Sequence, residues 1–185
     1  MSDREPARTA RALGASFPLR NRLARQIWNL VWLLLVRPSP RPCHAWRRFV
    51  LRCFGAHVEA AVHIYPAARI WAPWNLVARR GASIANGAEV YNTSMITLGE
   101  YAVISQGAYL CGASHDFESW EFPLVSAPIV IGAHAWVAAR ALVHMGVTIG
   151  DGCVVGAGSI VTRDMPAWTV CAGVPCRPRR AYLKR

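Results

Sequence analysis

The chain has 185 residues, of which 54% are hydrophobic and 17% charged, and a formal net charge of +11. This length fits one folded domain with an extension, and so apolar and weakly charged a composition excludes an intrinsically disordered protein. The charge is uneven: residues 1–52 carry eleven arginines against Asp3 and Glu5, residues 53–176 five arginines against eight acids, and residues 177–185 five basic residues and no acid.

A mildly acidic body with two basic arms suits phosphate groups or an anionic membrane surface. Neither arm carries a zinc-finger or RNA-binding motif, so no nucleic-acid partner is expected. The six cysteines (43, 53, 111, 153, 171 and 176) form no Cys-x-x-Cys pair and no His-paired zinc spacing. No signal peptide is evident, so the expected protein is cytoplasmic, with free buried thiols and no metal.

In chain order, residues 1–18 are polar and basic, and are expected to be disordered. Residues 19–54 form an amphipathic helical arm. Leu23, Ile27, Leu30 and Leu34 fall on one helical face with Arg22 and Arg25 off it, and Pro38, Pro40 and Pro42 end the helix. A second short helix follows, with Trp46, Phe49, Val50 and Cys53 on one side and Arg47, Arg48 and Arg52 on the other. Two readings are open for this arm. It caps the main domain, or it lies on a membrane interface with Trp28 and Trp32 as anchors.

After Gly55 the rhythm changes. Val58, Ile64, Ile70 and Leu76 are six apart, and the spacing resumes at Ile84, Val90 and Ile96, then at Leu98, Ile104 and Leu110, after slips of two. It runs unbroken through Ile131, Val137, Val143, Ile149, Val155 and Val161. This period is neither the 3.6 of a helix nor the 2 of a strand, and it marks a β-helix over residues 55–170. Three flat faces of six residues close a triangular coil, so residues eighteen apart stack on neighbouring coils. Small or β-branched residues at the second inward position (Ala135, Ala141, Val147, Cys153, Ser159) fit the narrow corners. A loop at 115–128 interrupts the repeat, and residues 171–185 form a basic tail.

The stretch from Pro128 to Arg180 resembles the hexapeptide-repeat acyltransferases. The segments RPSPRPCHAWRRFVLRCFGAHV, HIYPAARIWAPWNL and VISQGAYLCGASHDFESWEFPL resemble the colanic acid biosynthesis acetyltransferases within that family. The resemblance implies a left-handed parallel β-helix with N-terminal helical segments and a short C-terminal tail. It implies acetyl-CoA as co-substrate, a sugar or lipid-linked oligosaccharide as acceptor, and a homotrimer with sites between subunits.

Acyl transfer to a hydroxyl needs a base that works near neutral pH, and histidine is the natural candidate. Of six histidines, His115 stands where the repeat stops. A long loop in a compact repeat domain is usually functional, and this one carries Asp116, Glu118, Trp120 and Glu121, suited to a polyhydroxylated acceptor. Ser114-His115-Asp116 matches the family's catalytic histidine motif, which implies His115 as the base, with Asp116 as a candidate orienting group. Ala139 and Ala157, eighteen apart, form a smooth strip on the outer wall, beside which Trp136 is a candidate apolar wall. The resemblance implies coenzyme A contacts at Ala139, Ala157, Thr162, Arg163, Arg177 and Arg180, where arginine suits pyrophosphate.

Some residues depart from the family's pattern. Arg140 stands where glycine is usual, and Ala78-Arg79-Arg80 replaces a Gly-Asp turn, predicting an irregular coil there. Two rival readings share the fold. One is a non-catalytic scaffold at a membrane surface. The other is a γ-type carbonic anhydrase, which needs a His-x₄-His pair that this chain lacks.

Overall fold

The computed structural model describes residues 11–13 and 17–183. From His57 to Ala172 the chain winds as a prism of short parallel strands stacked on three faces. Face 1 carries His57–Val58, Leu76–Ala78, Ile96–Leu98, Ile129–Ile131 and Thr148–Ile149. Face 2 carries His63–Ile64, Ser83–Ile84, Val103–Ile104, Trp136–Val137, Val154–Val155 and Thr169–Ala172. Face 3 carries Arg69–Ile70, Glu89–Tyr91, Tyr109–Cys111, Leu142–His144 and Ile160–Val161.

The register follows the six-residue rhythm. Ile131 pairs with Ile149, Val137 with Val155 and Val143 with Val161, each eighteen residues on. The first coils are twenty residues long, since Val58 pairs with Ala78 and Ile64 with Ile84. The two-residue slip is absorbed at a corner, where Pro73–Asn75 makes a 3₁₀ turn before Leu76. The irregular coil expected at Ala78-Arg79-Arg80 is absent: Ala78 stays paired with Leu98 and Ser83 with Val103. Glu59 on the preceding coil ties that corner, accepting from Arg79 Nη1 (2.8 Å) and the Arg80 N–H (2.9 Å). The Arg79 hydrogen bond, then the Arg80 N–H, hold the Glu59 carboxyl below its ordinary pKa.

One aliphatic column, Ile64, Ile84, Ile104, Val137 and Val155, is completely buried. Each such side chain contributes about 1.5–3 kcal/mol, an upper bound because the unfolded chain is partly collapsed. The corner positions Ala135, Ala141, Val147, Cys153 and Ser159 are buried as the pattern requires. At one corner only glycine fits. Gly152 has φ +62°, and a Cβ there would lie 2.4 Å from the Trp168 ring.

The thiols are free. Cys153 and Cys171 stack on consecutive coils with their sulfurs 3.7 Å apart, well beyond a disulfide bond. Burial pushes the Cys153 thiol far above its ordinary pKa, with Cys171 adding to the shift, so it resists ionisation. Ellman's reagent is therefore expected to label exposed Cys53 first and half-buried Cys43 and Cys111 more slowly. Cys153, Cys171 and Cys176 should react only after denaturation; fast labelling of all six in native protein would contradict this core.

Hydrogen bonds join each coil to the next in both directions. The N–H of His63 donates to Ala82, that of Ser83 to Ala102 and that of Trp136 to Cys153, while the Gly81 N–H donates back to Ala60 and the Gly152 N–H back to Ala133. The first-coil strands are the end strands of their sheets, so the carbonyls they turn away from the next coil have no partner strand, and buried carbonyls need donors. The helical arm supplies them. It comprises α1 (Leu19–Val31), a π-helical turn (Trp32–Val36) and α2 (His44–Cys53). Arg52 Nε donates to the Val58 carbonyl, Arg48 Nη1 to Val62, Arg47 Nε to Ile64 and Trp28 Nε1 to Ile70. His44 Nδ1 also meets the Ile64 carbonyl, at 2.9 Å.

This cap partly reverses the faces expected of the arm, leaving Val50 buried and Arg52 exposed. Arg47 is buried, while Trp46, Phe49 and Cys53 are exposed. In α1, Trp28 is buried, so it is no membrane anchor, and half-buried Trp32 packs against the core. The aliphatic face of Leu23, Ile27, Leu30 and Leu34 points to solvent instead. The physical reason is hydrogen-bond demand: the first coil needs long donors, and aliphatic side chains have none.

The two ends of the chain also differ from expectation. Within residues 1–18, Arg11–Leu13 is a strand, paired antiparallel with Leu124–Ser126; residues 1–10 and 14–16 lie outside the described residues. The basic tail begins as a hairpin, Arg177–Ala181 folding back on Thr169–Ala172 and closing the last coil.

Candidate active site

The loop at 115–128 is a projecting hairpin. Ala113–His115 pairs antiparallel with Leu124–Ser126, and Arg11–Leu13 adds a third strand. It leaves the prism after Cys111, at the corner where face 3 turns to face 1, and returns at Pro128. His115 is exposed on the hairpin's last strand residue before the tip.

Its ring is positioned from two sides. The Phe122 ring stacks on it at 4.4 Å with planes 7° apart, and Nδ1 lies 2.8 Å from the Phe122 carbonyl oxygen. A carbonyl only accepts, so Nδ1 carries the proton and Nε2 of the neutral ring keeps a free lone pair. Phe122 itself has φ +46°, an uncommon conformation for a bulky residue, and the carbonyl it presents to Nδ1 sits at that turn. Asp116 does not orient His115 through this nitrogen: its Oδ1 accepts from the Glu118 N–H at 3.1 Å. Phe117, Glu118, Trp120 and Glu121 are exposed around the tip, Trp120 fully so.

The expected cofactor residues divide between two edges of the prism. Ala139 and Ala157 stack at the corner between faces 2 and 3, where the Gly158 N–H donates to the Ala139 carbonyl at 2.9 Å. Gly173 continues this column, and the Arg179 guanidinium lies 3.2 Å from where a Gly173 Cβ would stand. Arg177 pairs with Ala172 at the same end, while Arg180 pairs with Val170 farther along face 2. Thr162 and Arg163 sit instead at the face 3 to face 1 corner, two coils beyond the point where the His115 hairpin leaves. Within one chain, face 3 separates His115, Thr162 and Arg163 from the alanine column. Six residues of extended chain span up to about 20 Å, which sets the scale of that separation.

Arg140 adopts φ +58° and its stem lies over Gly107, one coil before, rather than over Ala157. Trp136 is half-exposed on face 2 and donates from Nε1 to Ser105 Oγ at 2.7 Å. A cavity of about 680 Å³ lies between the arm and the first coils, lined by Trp28, Trp32, Arg37, Trp71 and Glu89 among others. It touches neither His115 nor the alanine column, so it is a seam of the cap and not this site. Among the described residues, no three His, Cys, Asp or Glu side chains converge as a metal centre.

Three features were not read from the sequence. The Phe122 carbonyl is backbone and has no side-chain signature. The strand at Arg11–Leu13 is too short, at three residues, to signal itself. Arg179 has a sequence signal, its alternation with Arg177 along Arg177–Ala181.

A prism of six-residue faces with one inserted hairpin is the architecture of a hexapeptide-repeat protein. Residues 128–163 match the family described as the hexapeptide repeat of succinyl-transferase. The chain is 42% identical over 155 residues to the provisionally assigned colanic acid biosynthesis acetyltransferase WcaF of Escherichia coli (strain K12), covering 84% of this chain and 85% of the relative. A maltose O-acetyltransferase from Clostridium difficile 630 superposes with a TM-score of 0.84, at 22% identity, over 95% of this chain and 94% of that one. A galactoside acetyltransferase solved with coenzyme A gives a TM-score of 0.75, at 25% identity, over 90% and 84%. The chain therefore belongs to the hexapeptide-repeat acetyltransferases, and its coil is the left-handed parallel β-helix of that family.

Proposed function

We propose that this protein is an acetyl-CoA-dependent O-acetyltransferase acting on a sugar hydroxyl of a surface polysaccharide or its lipid-linked precursor, in the cytoplasm. The observation that carries the reading is the Phe122 carbonyl on Nδ1 of His115, which leaves Nε2 as the open base. Nε2 takes the proton of the acceptor hydroxyl as its oxygen attacks the thioester carbonyl. The tetrahedral adduct then expels the coenzyme A thiolate, and His115 returns the proton to that sulfur.

The smooth Ala139–Ala157–Gly173 column supports a site for the extended pantetheine arm, with Arg177, Arg179 and Arg180 beside it for phosphates. Thr162 and Arg163 complete the set from the other edge of face 3. A site using both edges closes when the His115 edge of one chain meets the alanine edge of another, which favours a homotrimer with three shared sites. Trp120 and the loop acids Asp116, Glu118 and Glu121 face the acceptor.

The test is an acceptor screen with labelled acetyl-CoA against free and lipid-linked oligosaccharides. Transfer of label to a saccharide hydroxyl is the expected result; absence of both coenzyme A binding and transfer would leave a non-catalytic scaffold. Ala157→Trp fills the strip from an exposed position, and is expected to raise KM for acetyl-CoA about tenfold or more with little change in Tm. An unchanged KM would remove the strip from the site.

A further inference from the structure

The outer face of α1 is an unbroken aliphatic row. Leu19, Leu23, Ile27, Leu30 and Leu34 follow one another at four- and three-residue steps, each between 56% and 68% exposed. Leu33 and Leu35 widen the row. Trp46 Nε1 donates to the Leu35 carbonyl at 2.9 Å, joining the exposed Trp46–Phe49 pair of α2 to it. Soluble domains rarely leave so continuous an apolar stripe uncovered, and the opposite face of the same helix is already engaged through Trp28. Residues 1–10 and 14–16 offer no leucine, isoleucine, valine or aromatic side chain with which to cover it.

The charges beside the stripe identify the occupant. Arg20 and Arg22 are exposed on its two flanks, and Arg37 and Arg41 are exposed beyond its C-terminal end. No aspartate or glutamate occurs between Glu5 and Glu59. A second copy of this arm would bring like charge to like charge. An anionic phospholipid bilayer offers both an acyl boundary for the leucines and phosphates for the guanidinium groups. The geometry points to α1 as an in-plane membrane helix: we propose that its Leu19–Leu34 face docks on anionic lipid while its Trp28 face holds the β-helix. The protein would then sit at the bilayer surface, where a lipid-linked saccharide presents its sugar. The docking itself does not depend on the acetyl-transfer reading.

The experiment is cosedimentation of the full chain, without acetyl-CoA, with vesicles of phosphatidylcholine alone or with about one-third phosphatidylglycerol. The expected result is binding to the anionic vesicles, weak binding to the neutral ones, and loss of binding as salt rises. The variant Leu23→Gln/Ile27→Gln/Leu30→Gln is expected to lower partitioning about tenfold or more, with an unchanged oligomeric state by light scattering. Arg20→Gln/Arg22→Gln should remove most of the preference for anionic vesicles. No binding by the wild type, or equal binding by the leucine variant, would overturn the proposal. So would a change of oligomeric state in the leucine variant, because the stripe would then be a contact between subunits. Failure in these arms leaves transfer to a soluble acceptor untouched, so the two readings fail separately.

Discussion

His115→Ala is expected to lower kcat for acetyl transfer by about 10²–10⁴, with KM for acetyl-CoA and the oligomeric state unchanged. The expectation rests on an open Nε2 lone pair, because Nδ1 is committed to the Phe122 carbonyl. Asp116, the adjacent carboxylate, is tied to the Glu118 N–H. His115→Gln keeps a hydrogen-bonding side chain but no base, and should be nearly as slow. Stopped-time assays with labelled acetyl-CoA read the effect, and calorimetric titration reads donor binding separately. Full activity in His115→Ala would show that another base does the work and would sink the assignment.

The largest effect on stability is expected at Arg47. Its guanidinium is fully buried without a carboxylate: among the described residues the one salt bridge pairs Arg79 with Glu59. Instead Nε donates to Ile64, Nη1 to Ser39 Oγ (2.8 Å) and the Pro40 carbonyl (2.9 Å), and Nη2 to the Arg41 carbonyl. Burial lowers its pKa, yet a guanidinium stays charged at any ordinary pH. One side chain thus joins α2, the proline-rich turn and the open first coil. Arg47→Ala removes a donor from the Ile64, Pro40 and Arg41 carbonyls and from Ser39 Oγ at once, and is expected to cost about 3–5 kcal/mol. At this size that is roughly a 10 °C fall in Tm, measured at one fixed protein concentration. Arg47→Lys keeps the charge but cannot reach in three directions, and should recover only part. A Tm within a degree of wild type in Arg47→Ala would show that water can serve these carbonyls, and that the cap is not held this way.

The candidate site was partly legible. His115 could be singled out because the six-residue rhythm stops beside it, and Ala139 and Ala157 because counting by eighteen aligns them. What holds His115 was not legible, since the orienting group is a main-chain oxygen delivered by a hairpin turn. Nor did spacing show that Thr162 and Arg163 lie across face 3 from the alanine column, because the rhythm does not say which corner each turn occupies until strands are assigned to faces.

The arm shows the same division most sharply. Its helical periodicity is a local property, and the pattern of Leu23, Ile27, Leu30 and Leu34 was sufficient to predict α1. Which side is buried is not local: the first coil's carbonyls at Val58, Val62, Ile64 and Ile70 need donors, and Trp28, Arg47, Arg48 and Arg52, with His44 beside Ile64, meet them. By itself the sequence determined the coil, its period and its interruption, since these follow from short-range stereochemistry and the inward placing of aliphatic residues. Only the tertiary structure decided that arginines face the prism and leucines face outward, because an unmet hydrogen bond in a distant strand outweighs the burial of an aliphatic stripe.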